Sequence, residues 1–356
     1  PPPPPPPPPS FFFHEHAGNR DPLWSRGLGD VYKRQPIDSG RYGTKEMLEI
    51  FGEQKKVDYQ LQIEAAAALS QSEINLIPKS IAKDIAKAAR SGKITAKRIK
   101  QLEAKSDHDT AALVESLAER CKKESRPWIH YGLTSNDLVD TSNSMQMRDA
   151  IKVIQPKVGK LALLLSKNAV KYKVLPAVGR THGQHASIIS FGLKFANWAS
   201  EMATHLERLD EIKKRILICK TLGVVGTGSL MGKDAVKVQE RVAKKLLLFP
   251  AKVTTQIIPR ERYAEYIFQL SLLGATLEKI SIEIRNLQRT EIGEVSEYFK
   301  KGQMGSSAVP VKRNPIKSER ISSLSKLLRS QINTSFENIP LWHCLLYTSP
   351  SPRDQR

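Results

Sequence analysis

Two apolar stripes set the limits on what this chain can become. Ile189, Leu193, Ala196, Ala199, Met202, Leu206, Leu209, Ile212 and Ile216 recur at steps of three and four, and so do Ile267, Leu270, Leu273, Leu277, Ile280, Ile284 and Leu287. That spacing marks one face of an α-helix. Helices this long bury such faces only against partners of similar length, so the simplest architecture is all-α, an elongated helical bundle. A single chain offers few helices long enough, and burial of both stripes therefore predicts assembly with other copies. No run of alternating strands and no fixed-period repeat competes with this reading.

The rest of the chain reads as further helices. Thr44–Gln71 is predicted as one helix, and another starts at Pro78 and ends near Gly92. Short helices are expected around Thr95–Ala104 and Asp109–Lys122, and longer ones over Leu138–Val153, from Pro156 through Lys173, and near Ser318–Glu337. Three connectors between helices collect the polar residues: RPWIHYGLTSND, LPAVGRTHGQHAS and KKGQMGSSAVPVKRNP.

The two ends do not fit this pattern. Residues 1–35 open with nine prolines and close on SRGLGDVYKRQ, and residues 344–356 begin CLLYTSPSPRD. Codons for Ser25–Gln35 can be chosen so that the opposite strand, in another frame, encodes Cys344–Asp354. One adaptor-like DNA element in two orientations explains both stretches, so they are expected to be non-native tails. Between them, 36–134 is read as an N-terminal helical domain and 135–343 as a central bundle domain. This part carries 50 basic and 32 acidic residues, a net charge of +18. Such a charge suits an anionic partner without choosing among phosphorylated metabolites, nucleic acid and mere solubility. Cys121 and Cys219 stand far apart with no metal-ligand spacing, which argues against a zinc site and suits a reducing, cytoplasmic setting. No apolar run approaches the roughly 18 residues that cross a bilayer.

The chemistry is expected in the connectors. The first holds His130, Thr134, Ser135, Asn136 and Asp137, and TSND reads as a helix N-cap followed by an acid in the first turn. A helix start of this kind also receives anions. The second holds Arg180, His182 and His185; imidazole titrates near neutrality and can act as a general acid. The third sets Ser306 and Ser307 before Lys312, Arg313 and Asn314, among glycines that let backbone N–H groups converge on an anion. His108, in SDHDTAAL, is a fourth candidate. The segment GTGSLMGKD at Gly226–Asp234 is a near miss for a phosphate-binding P-loop: Thr227 and Asp234 hold the wrong positions, and the required sheet is missing.

Taken together, GSSAVPVKRNP (Gly305–Pro315), HYGLTSNDLVDT (His130–Thr141) and GRTHGQHA (Gly179–Ala186) resemble, in order and separation, the active-site regions of the fumarase/aspartase superfamily. GRTHGQHA, the KRNP ending and ENIPLWH (Glu337–His343) are most similar to the lyases of that superfamily that release fumarate from succinylated purine nucleotides. The resemblance covers Arg41–His343. It implies a homotetramer whose central helices share one bundle, with each active site drawing on three subunits, and it implies no metal or organic cofactor. It assigns Ser306 as base and His182 as general acid. Arg41, Tyr42, Asp107, His108, Asp109, His130, Thr134, Ser135, Gln256, Ser307, Lys312, Arg313 and Asn314 are implied as substrate-binding. Neither nucleic acid nor membrane is an expected partner.

Two departures matter. Val309 and Val311 replace the methionine and histidine of the family's SSAMPHKRNP, and Asp107 stands where bacterial relatives often have arginine. The family also continues beyond His343 with an arginine and a serine pair for the nucleotide, then a third helical domain. A missing C-terminal domain is therefore expected, and with it little or no fumarate release by the chain as written; full activity in a fumarate-release assay would contradict this. Two other readings remain: another lyase of the superfamily, chiefly argininosuccinate lyase, and a basic helical scaffold for nucleic acid. The substrate cleaved separates the first, and salt-dependent nucleic-acid affinity the second.

Overall fold

The computed structural model describes residues 42–300, 302, 306, 309 and 312–340. Both expected tails, and Arg41 and Ser307 among the candidate residues, lie outside them.

Helices carry about two thirds of the described chain. The first segment splits where one helix was expected: α1 is Lys45–Ile50 and α2 is Glu53–Glu73. Gly52 takes an extended conformation at the break, as the N-cap of α2. Next come α3 (Lys79–Ala89), α4 (Ala96–Ser106) and α5 (Asp109–Ala118). These wrap an alanine-rich core in which Tyr59, Ile63, Ile85, Leu113 and Leu117 are fully buried.

Helix α6 runs unbroken from Ser135 to Lys171, 37 residues, with Pro156 inside it. Two helices were expected here. Proline removes one main-chain hydrogen bond, but Ile151, Ile154 and Val158 pack on both sides of it and hold the axis.

The second connector is a β-hairpin rather than a loop. β1 (Pro176–Thr181) pairs antiparallel with β2 (Gln184–Ser190), with an irregularity between Gly179 and Arg180. The two turn residues, His182 and Gly183, both have positive φ, 54° and 74°, the geometry that matches strand twist in a two-residue hairpin. Ile189 therefore belongs to β2, and the helix α7 starts at Phe191, ends at Glu211 and is followed by the short α8 (Lys213–Ile216). A two-residue parallel pair joins β3 (Ile218–Cys219) to β4 (Phe249–Pro250). Between them lies α9 (Ala235–Leu246), which the sequence reading missed; Val238, Val242 and Ala243 face the core. Gly226–Asp234 forms turns and a short 3-10 helix leading into α9, and the sheets among the described residues are only the two-stranded pairs β1–β2 and β3–β4.

Helices α10 (Glu261–Leu287) and α11 (Ile316–Glu337) complete a bundle with α6 and α7. Ser325 donates to the Gly274 carbonyl at 2.8 Å, and Gln288 to that of Arg313 at 2.9 Å, so α10 and α11 run antiparallel. His205 on α7 meets Thr276 on α10 at 2.8 Å, and Lys194 pairs with Glu283, so this pair is antiparallel too.

At the corner between α6 and α7, a Cβ on Gly192 would strike the Ala169 carbonyl and stand 2.9 Å from the Lys173 nitrogen. Backbone cannot yield as a side chain does, so Gly192→Ala is expected to cost about 1–3 kcal/mol. A lower midpoint in urea unfolding checks it.

Candidate functional site

The first connector is anchored from below. Thr134 caps α6, its N–H donating to Asp137 Oδ2 at 2.9 Å, so the TSND reading holds. His130 takes a left-handed backbone, φ 62°. Its Nδ1 lies 2.6 Å from Glu64 Oε1, and its N–H donates to Glu64 Oε2 at 3.1 Å. Burial works to lower the pKa of His130, but the hydrogen bond and charge of Glu64, with Asp137 beyond, outweigh it and hold the imidazole above its ordinary value. Its stabilising contribution is thus full below the ordinary pKa of about 6.5 and is lost as pH rises through the raised folded value. Glu64→Gln leaves burial unopposed by that charge, and a downward move of the His130 pKa in an NMR titration is the expected result.

Gln256 lies close to this connector. Asp137 Oδ2 also accepts from the Gly223 N–H at 2.9 Å, and the turn that follows packs Gly226 against the carbonyls of Thr254 and Thr255. Beyond Gln256, Ile258 N–H donates to Asp140 at 2.7 Å. His130, Thr134 and Ser135 therefore gather at the N-terminal end of α6, and the backbone on either side of Gln256 packs beside it. Asp107, His108 and Asp109 form the exposed start of α5: Asp107 is left-handed, and His108 Nδ1 caps the helix by accepting from Ala111 N–H at 3.1 Å.

The second and third connectors meet at the other end. His182 sits exposed at the hairpin tip. Arg180, Gly183 and His185 line one side of a broad groove that shares Ile282, Asn286 and Arg289 with a second groove, of about 680 Å³, lined by Lys312, Arg313 and Asn314. Ser306 accepts a hydrogen bond from the Val309 N–H at 3.3 Å. Glu297 accepts from the N–H groups of Lys317 and Ser318, at 3.1 and 2.7 Å, and so ties the segment after α10 to the start of α11. Tyr42 lies under the Arg320 guanidinium on α11, 5.5 Å from ring centroid to carbon. The sequence reading missed Glu319, which lines the same groove as Lys312 and Asn314; a carboxylate in a helix's first turn gives no signal of its own.

The two groups of residues are far apart. A helix of 37 residues spans about 55 Å at 1.5 Å per residue, so one chain holds the first connector and the second at opposite ends of α6. No group of three or more His, Cys, Asp or Glu suited to a metal ion occurs among the described residues. No helix among them is long and apolar enough to cross a membrane.

Comparison with known proteins adds to the geometry. A family model described as lyase matches residues 40–327. The adenylosuccinate lyase of Methanocaldococcus jannaschii is 44% identical over 315 residues, covering 88% of this chain and 68% of that protein. The adenylosuccinate lyase of Methanothermobacter thermautotrophicus is 42% identical over 304 residues, covering 85% and 68%. Among solved structures, a fumarate lyase from Mesorhizobium sp. BNC1 superposes with a TM-score of 0.75 at 28% identity, over 84% of this chain and 67% of that one. The 3-carboxy-cis,cis-muconate lactonizing enzyme of Pseudomonas putida gives 0.76 at 30% identity, over 89% and 69%.

Proposed function

The chain belongs to the lyase family of the fumarase/aspartase superfamily, and on that premise we propose that it eliminates fumarate from adenylosuccinate, giving AMP, and from the succinylated imidazole-carboxamide ribotide of purine synthesis. The reaction takes a proton from the carbon beside a carboxylate. Its electron pair becomes the new double bond, the carbon–nitrogen bond breaks, and the departing nitrogen gains a proton. Ser306 removes the first proton and His182 supplies the second. Lys312 and Asn314 hold the succinyl carboxylates and stabilise the charge that builds on one of them. Thr134, Ser135 and Ser307 hold the substrate, Arg41 and Tyr42 contact the nucleotide, His108 supports His182 or helps to bind the phosphate, and Asp107, Asp109, His130, Gln256 and Arg313 line the site.

The observation that carries this reading is the shared groove wall of Ile282, Asn286 and Arg289, which sets the connector of His182 beside that of Lys312 and Asn314. The first connector reaches this pair from another copy, because α6 separates them within one chain. Exposed apolar side chains on all four bundle helices support such assembly: Leu163, Val170, Leu193, Ile282 and Leu327 are each between 42 and 65% exposed. A homotetramer in the cytoplasm, with foreign tails at 1–35 and 344–356 around domains 36–134 and 135–343, is part of the proposal.

The test is product identification by mass spectrometry, with adenylosuccinate and argininosuccinate offered separately. It uses the full chain and, beside it, the chain continued at its C-terminus by the last third of an archaeal relative. AMP and fumarate from the first substrate are expected. Cleavage of argininosuccinate alone overturns the proposal.

A further inference from the structure

Two carboxylates one turn apart on α6, Asp137 and Asp140, have no exposed surface, and each meets a buried cation. Asp140 pairs with Arg260 at 2.6 Å; Asp137 pairs with Lys220, whose side chain is also fully buried. Removing a lysine and a carboxylate from water is costly, and a well-packed apolar pair often holds a core as well. What the charged pair adds is direction. Asp137 Oδ1 accepts from Lys220 Nζ, while Oδ2 accepts from the N–H groups of Thr134 and Gly223, both at 2.9 Å. Lys220 Nζ donates in turn to the Gly223 carbonyl at 3.2 Å. The lysine's main chain is pinned to Thr141 Oγ1, its N–H at 3.1 Å and its carbonyl at 3.0 Å.

The geometry points to Lys220 and Asp137 as positioning residues for the elimination: the pair sets the Thr134–Ser135 turn against the Gly223–Gly226 turn, and through it against the segment of Gln256. The inference rests on the proposed function for what those segments hold. Neither residue touches substrate, since both are enclosed. The second link is backbone packing: Gly226 has φ 77°, and a Cβ there would lie 2.6 Å from the Thr255 carbonyl. A shift of Gly223 therefore passes to residues 254–256 without a flexible side chain to absorb it. Burial, the larger influence, holds the Asp137 carboxyl above the usual carboxylate range, and Lys220 draws it down in part. Without Lys220 the buried carboxylate loses its counter-charge and one of the hydrogen bonds that orient it toward both turns.

The experiment compares the full chain with Lys220→Met, Asp137→Asn, and the double variant Lys220→Gln with Asp137→Asn. The double variant leaves no uncompensated charge, so it tests the inference even where a single variant fails to fold. Adenylosuccinate affinity is measured by calorimetry, and amide hydrogen exchange by mass spectrometry. We expect affinity to fall about 10–100-fold, as for a misplaced binding element. Exchange should quicken in peptides covering 130–137 and 220–228 and stay unchanged across Phe191–Glu211. Parental affinity in the double variant overturns the inference, and so does an exchange increase spread evenly over the chain, which marks a purely structural pair. Where the parent chain binds no adenylosuccinate, affinity is read on the chain continued at its C-terminus by the last third of an archaeal relative, and no binding there, while exchange follows the expected local pattern, counts instead against the proposed function.

Discussion

If Ser306 is the base proposed above, Ser306→Ala is expected to lower the rate of fumarate release by about 10²–10⁴-fold, the range that a positioned general base supplies, with KM for adenylosuccinate little changed. A serine hydroxyl is a poor base until its alkoxide is stabilised. The third connector provides what such stabilisation needs: the Val309 N–H donates to Ser306 Oγ at 3.3 Å, and Lys312 brings a cation into the same connector. Donors aimed at the oxygen favour its charged form. The loss falls on kcat because the missing methylene-bound oxygen meets the substrate's hydrogen only as that bond breaks, while Lys312, Asn314 and the first connector still bind the ground state. Ser306 lies outside the helices, so the unfolding midpoint should not move. Steady-state kinetics on the chimeric form decide it: a variant within about threefold of the parent in kcat leaves the mechanism without its base.

Much of this was legible because helical periodicity is a direct physical record of which face is buried. The stripes through Met202 and Leu273 mark helices that do pack together in the bundle. The connectors stood out because polar residues there cannot be explained by either face. What was not legible depended on energy spread over distance. Pro156 reads locally as a helix start, yet packing by Ile151 and Val158 carries α6 through it. The hairpin was hidden because His182 adopts a positive φ that is usual for glycine or asparagine. β1 is half-buried along most of its length and β2 is largely exposed, so no alternation of burial marks either strand. Lys220 is the plainest case: nothing in CKTLG signals that this lysine lies fully enclosed, because its partner Asp137 comes from a helix start more than eighty residues earlier.

Two inactive variants are expected to restore each other. In the chimeric form, a chain with Thr134→Ala and Ser135→Ala lacks the hydroxyls of the first connector, and one with His182→Ala lacks the acid of the second. Alone, each should lose on the order of 10²-fold or more in turnover. Within one chain the two lesions lie toward opposite ends of α6, a helix of 37 residues and about 55 Å. No rearrangement short of breaking that helix unites them. If a site takes its first connector from one copy and its second from another, a mixed assembly contains some sites whose contributors are all intact. Co-expression should therefore recover turnover on the order of tenfold above either variant, provided copies exchange before assembly. The exposed Leu193 and Ile282 on the bundle helices give such copies a surface to meet on. Native mass spectrometry shows whether mixed oligomers form. Mixed oligomers without any recovery mean that the two connectors never serve one site, and the shared-site mechanism fails with them; recovery in proportion to the mixed fraction requires that a second copy bring the first connector to His182.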